Sequence, residues 1–147
     1  MALLWVAVVI LAFAFAYSLQ FTAATLMMGR ALSDSESGTG FQDAITPPWK
    51  TRIDLGIYAA ILGAIGLGGW WKGPWDAVLI LLSILIGAMV VRRLFPAPDS
   101  AHYRTLVIRS MSWRYANFVK HGDTVRAGVM GMLLRKAGAD VDSLHAA

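Results

Sequence analysis

The chain has 147 residues, of which 57% are hydrophobic and only 15% are charged, and its formal net charge at pH 7 is +4. This apolar composition is typical of an integral membrane protein. The sequence contains no cysteine, which excludes a disulfide framework, a thiolate nucleophile and cysteine-ligated metal sites.

The first predicted element is a long apolar helix over about residues 3–28. This stretch has no charged residue and exceeds the ~20 residues that cross a bilayer core. It lacks a basic start and stays apolar well beyond its early alanines, so we expect a retained helix and not a cleaved signal peptide. Ser18, Thr22 and Thr25 share one face with Gly29, and small hydroxylated residues favour close helix contact over a polar path.

Residues 29–52 are predicted to form a linker on the cytoplasmic side. Small polar residues dominate its first part, and Pro47-Pro48 stiffens its approach to the next helix. A simple connector is the favoured interpretation, and a partner-binding loop is the alternative.

Two further membrane helices are expected over about 54–71 and 75–93. Asp54 and Asp76 stand near their starts, where a helix N-terminus favours negative charge. The few residues between the helices allow only a tight turn, so an antiparallel hairpin follows, with Pro74 opening its second helix.

Small residues recur along these two helices at spacings that permit close backbone approach. They are Gly56, Ala60, Gly63, Ala64 and Gly68 on the first helix of the pair, and Ser83 and Gly87 on the second. One such groove is expected to close the hairpin, and another to meet a different protein. The transmembrane domain is therefore predicted over residues 1–95.

Residues 96–147 are predicted to form a cytoplasmic helical hairpin, with a turn at Gly122 and Asp123. The apolar face of its first arm consists of Tyr103, Val107, Met111, Tyr115 and Phe118, although Arg104 and Arg114 interrupt it. This face either packs on the second arm and the membrane surface, or docks a partner.

The basic residues are distributed very unequally along the chain. Twelve of the 13 lie either in the linker or in the segment from Arg92 onward, and only Lys72 lies in the hairpin turn. By the positive-inside rule the N-terminus faces outward and the tail is cytoplasmic, which suggests a bacterial inner membrane. Arg92 and Arg93 then meet lipid headgroups, and this attraction explains the basic excess without nucleic-acid binding.

No pattern in the sequence identifies a reaction. All three histidines, His102, His121 and His145, lie in the tail, which argues against a haem or zinc site in the membrane. The membrane helices also lack ionisable residues at mid-depth, where transporters usually have them. We therefore expect no enzyme activity and no cofactor.

Two hypotheses of function remain from the sequence. The leading one is a non-catalytic accessory, assembly or anchoring subunit of a larger inner-membrane complex, in contact with other membrane subunits. The alternative is a small homo-oligomeric channel or transporter with the Ser18, Thr22 and Thr25 stripe facing a pore.

Overall fold

A computed structural model describes residues 2–33 and 41–141, and all regular elements within these ranges are helical. The helices are α1 (Ala2–Ser33), α2 (Gln42–Ile45), α3 (Pro48–Lys72), α4 (Pro74–Val91), α5 (Ala101–Lys120) and α6 (Thr124–Lys136), with one 3₁₀ turn at Arg92–Leu94. The predictions for residues 34–40 of the linker and for His145 lie outside the described residues.

Three of these helices are long and apolar enough to cross a membrane. The candidate spans are Leu3–Ser33, Pro48–Lys72 and Pro74–Leu94. The predictions of an all-helical fold and of three membrane-length helices are therefore confirmed for the described part of the chain.

The helix bounds differ from those expected, most clearly for α3, which begins six residues earlier than about residue 54. Pro48 occupies its first position, where a missing N–H has no cost. Lys50 and Asp54 then form an ion pair one turn apart, which stabilises this first part of the helix. Similarly, α1 continues past Met28 to Ser33, with Arg30 in its last turn.

The chain divides into two compact units, and neither is continuous in sequence. The first comprises Met1–Phe21 and Pro48–Ala97, and the second Thr22–Pro47 and Pro98–Ala147. The long α1 helix contributes to both units. The predicted division between residues 95 and 96 stays a prediction.

In the first unit, α3 and α4 form a hairpin and α1 packs against both. Its core contains Val8 of α1, Ile61 and Ala64 of α3, and Ile80 and Ile84 of α4. Gly73 forms the turn with a φ of 105°, a left-handed conformation that favours glycine.

In the second unit, α5 and α6 form a helical hairpin with a turn at Gly122, whose φ is 70°. Tyr103, Met111, Leu133 and Leu134 are completely buried there. Asp123 caps α6, because its Oδ1 accepts a hydrogen bond from the Arg126 N–H at 3.0 Å.

Candidate functional site

A buried charged cluster lies in the first unit between α1 and α3. The Lys50 ammonium forms an ion pair with Asp54, and Ser18 Oγ donates a hydrogen bond of 2.6 Å to Asp54 Oδ1. Lys50 is only 5% exposed, and its Nζ lies 5.8 Å from the centroid of the Phe21 ring. Burial of an ion pair is costly unless other groups also satisfy it, and Ser18 helps to do so.

A cavity of about 160 Å³ adjoins this cluster, with Tyr17, Ser18, Trp49 and Asp54 among its lining residues. Sequence reasoning missed the cluster because it placed Lys50 in a linker. The four-residue spacing of Lys50 and Asp54 was the available signal, since it is the spacing of a helical ion pair.

The predicted small-residue row of α3 divides between two faces. Ala64 and Gly68 are buried, and a Cβ added at Gly68 would collide with the Ile80 side chain of α4. Gly56 and Gly63 are exposed, and a Cβ added at either would meet no described atom within 4 Å. Each four-residue step turns a helix by about 40° beyond a full turn, so such a row drifts around the helix.

The exposed part of this row, together with two further exposed small residues beside it, forms what we call the small-residue face of α3. Its members are exposed small residues on one side of the helix, namely Gly56, Ala59, Ala60, Gly63 and Gly66. Within the described residues, none of the three glycines has a neighbour that an added Cβ would touch. The face is therefore open to close approach by another helix.

The other residues that were predicted to pack helices against each other are mostly buried or half-buried within this chain. A Cβ on Gly87 would lie 3.1 Å from the Ala12 Cβ, so α4 and α1 approach closely there. Ser18 and Thr25 are buried, and Thr25 Oγ1 donates to the Thr22 carbonyl oxygen at 2.9 Å. Ser83 and Thr22 are half-buried.

The apolar face of α5 that was predicted for docking lies largely in the interior of the second unit. Tyr103, Val107, Met111 and Tyr115 are buried, and only Phe118 is partly accessible. Docking through this face stays a prediction, but a partner could reach little beyond Phe118.

The two arginines that interrupt this face bind backbone carbonyl groups. Arg114 donates from Nη1 to the carbonyl oxygens of Asp43 and Ala44, at 2.9 and 2.6 Å, and from Nη2 to that of Thr46 at 2.6 Å. Arg104 Nη2 donates to the Ala137 carbonyl oxygen at 2.9 Å. Both arginines therefore donate to carbonyl groups at or just beyond a helix C-terminus, where the helix itself supplies no N–H partner.

Partial burial changes the pKa of Arg114 but not its charge. Desolvation lowers the pKa of its guanidinium, and the nearby carboxylate of Asp43 opposes this effect by raising the same pKa. Since an arginine side chain stays protonated in proteins, Arg114 keeps its full set of donors for the α2 region.

The outer side of α6 presents an apolar stripe, which we define as Val125, Val129 and Met132. All three are exposed, whereas the neighbouring Leu133 is buried. Exposed Arg126 and Arg135 lie on either side of the stripe. A cavity of about 610 Å³ adjoins it and includes Val119 of α5 and Met132. This helix thus presents both apolar and cationic groups outward.

The two arginines expected at the membrane interface are exposed, and so are several tryptophans. Arg92 and Arg93 form the 3₁₀ turn after α4, and the Arg92 carbonyl oxygen accepts a hydrogen bond of 3.3 Å from Gln20 Nε2. The exposed tryptophans of the first unit are Trp5, Trp49, Trp70, Trp71 and Trp75. Trp5 and Trp71 line the same small cavity, so the start of α1 meets the end of α3.

Neither a metal site nor similarity to known proteins indicates what these surfaces and clusters do. The described residues contain no group of three or more His, Asp or Glu side chains that could hold a metal ion. No protein-family model, no curated protein and no solved structure matches the chain. The surfaces and contacts of the described residues are therefore the features that bear on function.

Proposed function

We propose that this chain is a non-catalytic accessory or anchoring subunit of a larger protein complex in a bacterial inner membrane. The observation that carries the proposal is the open small-residue face of α3. Between membrane helices the hydrophobic effect supplies no attraction, so association depends on close packing, which glycine and alanine permit. The described residues of this chain leave that face uncovered, and a helix of another subunit would fit against it.

The distribution of charge supports an orientation for the subunit. Twelve of the 13 basic residues lie in segments 29–52 and 92–147, which we assign to the cytoplasm. Arg92 and Arg93 would then interact with anionic headgroups, and the tryptophans near Gly73 with the outer interface.

The second unit offers a surface for a soluble or peripheral partner of the complex. The apolar stripe of α6 is flanked by Arg126 and Arg135, and α6 contains no acidic residue. A partner with an apolar patch inside an acidic surface would complement both features. In this role the chain contributes packing surfaces to the complex and leaves the reacting groups to other subunits.

No comparable observation supports the alternative function, a homo-oligomeric channel or transporter. Its pore would need Ser18, Thr22 and Thr25 to face an opening, but Ser18 and Thr25 are buried within a single chain.

The test is purification of the tagged chain from native membranes in mild detergent, with identification of every co-purifying polypeptide. We expect foreign membrane subunits in fixed stoichiometry, and we expect Gly63→Leu to release them by blocking close approach. Val90→Leu is the control, because Val90 is exposed on α4 and therefore lies on a different helix from the small-residue face. A lone chain, a pure homo-oligomer or equal retention of partners by both variants would contradict the proposal.

A further inference from the structure

The second unit contains a cavity of about 300 Å³ that the proposed function does not use. One wall is the last part of α1, including Ala24, Met28 and Leu32, and the opposite wall includes Tyr103 and Val107 of α5. A volume of this size lies at the lower end of the range for small-molecule sites, which are mostly apolar with a few placed polar groups.

Two cations belong to this cavity and are held in place by backbone contacts. Arg104 donates to the Ala137 carbonyl oxygen at 2.9 Å, and Lys136 Nζ donates to the Leu32 carbonyl oxygen at 3.2 Å. Both side chains remain exposed, and Asp99 is the acidic residue in the lining. The guanidinium has five N–H donors in a planar fork, which matches the oxygens of a phosphate group.

The length of α1 indicates the depth of this cavity in a membrane. About 20 residues cover the hydrocarbon core, so a span that starts at Leu3 leaves the core near residue 23. The lining residues of α1 begin at Ala24. The cavity therefore falls at the level of the lipid headgroups, with its apolar α1 wall continuous with the spanning part of that helix.

The geometry points to a binding site for one anionic phospholipid in this cavity. Its phosphate group lies between Arg104 and Lys136, and the first part of an acyl chain packs on Met28 and Val107. The lining has two cations against the single carboxylate of Asp99, and neither α5 nor α6 adds an acidic residue. This inference requires insertion of α1 in a membrane, but it does not depend on membership of a complex.

The test is native mass spectrometry of the full chain released from nanodiscs that contain equal amounts of phosphatidylglycerol and phosphatidylcholine. We expect one retained phosphatidylglycerol, favoured over phosphatidylcholine by about tenfold, since both lipids carry a phosphate but only the choline headgroup adds a cation that Arg104 and Lys136 repel. Arg104→Gln and Lys136→Gln should each lower this retention. Arg109→Gln removes the same charge from an exposed position on α5 outside the cavity lining, and it should retain the lipid.

A second variant separates lipid binding from folding, because Arg104 also satisfies a carbonyl group after α6. Ala31→Phe fills the cavity from an exposed lining position and leaves both cations in place. It should lose the lipid without changing thermal unfolding. Equal retention of the two lipids by the unmodified chain, retention by Ala31→Phe, or displacement of the lipid by excess inorganic phosphate would overturn the assignment.

Discussion

Arg114 shows how one side chain organises a segment far away in sequence. Its guanidinium binds three carbonyl oxygens, those of Asp43, Ala44 and Thr46, around the end of the four-residue helix α2. So short a helix has little stability of its own, because helix nucleation is unfavourable. The fork of Arg114, together with the burial of Ile45, therefore holds α2 in place.

We expect Arg114→Ala to lower the free energy of unfolding by about 2 kcal/mol, because the three carbonyl groups lose a charged donor. Arg114→Lys should recover only part of this loss, since an ammonium cannot reproduce the planar fork. Unfolding of the purified protein in detergent gives the free energies, and hydrogen exchange at residues 41–47 localises the change. Arg109→Ala is the matched control on an exposed position of α5. An unchanged exchange rate at residues 41–47 would refute this role.

The pair of Lys50 and Asp54 illustrates the cost of a buried charge. Asp54→Asn leaves the Lys50 ammonium in its buried position without a counter-charge, and we expect a destabilisation of about 3 kcal/mol. Ser18→Ala should lower the free energy of unfolding by less than Asp54→Asn does, because it removes one hydrogen bond and no charge.

A double-variant cycle measures the coupling within this pair. Lys50→Met combined with Asp54→Leu should recover much of the lost stability, since it removes both charges together. Stability is measured by titration with a denaturing detergent in mixed micelles. Additive effects of the two substitutions would show that the ion pair does not contribute.

At the scale of elements, the two sides of α3 have different packing requirements. Ala64 and Gly68 pack inward, and α4 approaches Gly68 so closely that the Ile80 side chain occupies the space of a Cβ. The small-residue face on the other side is open. Glycine thus permits close packing of α3 on α4 at one position and leaves an open surface for a partner at another.

Two glycine substitutions on α3 separate these roles. Gly68→Val should destabilise the α3–α4 hairpin by about 1–3 kcal/mol, because overpacking forces side chains and backbone to shift. Gly63→Val should leave the stability of the isolated chain nearly unchanged, since its Cβ meets no described atom. Thermal unfolding of the purified chain distinguishes them, and equal losses would contradict the assigned faces.

For the whole molecule, the strongest constraint on orientation is the distribution of basic residues. The absence of native cysteine allows single cysteines to be introduced and labelled without background. Lys72→Cys should react with a membrane-impermeant thiol reagent added to intact cells, and Arg135→Cys should react only after the membrane is opened. The positive-inside rule predicts this difference from charge alone. The reverse pattern would overturn the N-out, C-in assignment.

The division into two units also belongs to the scale of the whole molecule. The predicted division into a membrane domain over residues 1–95 and a tail stays a prediction, and α1 contributes residues to both compact units. A period within one helix reports which residues share a face, but it does not report which distant segment covers that face. The partner of the last turns of α1 therefore could not be read from their own pattern.

Local chemistry was sufficient to predict much of this protein from its sequence. Uninterrupted apolar runs identified the three membrane-length helices, because a spanning segment must satisfy its backbone internally and remain apolar over its whole length. Gly122 and Asp123 similarly placed the turn between α5 and α6, since a left-handed glycine and a capping carboxylate act within a few residues.

Only the tertiary structure decided which faces are covered and which polar groups meet. It paired Ser18 with Asp54, directed Arg114 to the α2 region and divided the small residues of α3 between α4 and an open surface. These contacts join residues up to 71 positions apart, whereas sequence patterns report properties within one element. Long-range packing is set by all elements together, and for this reason the sequence alone determined the class of protein but not its surfaces.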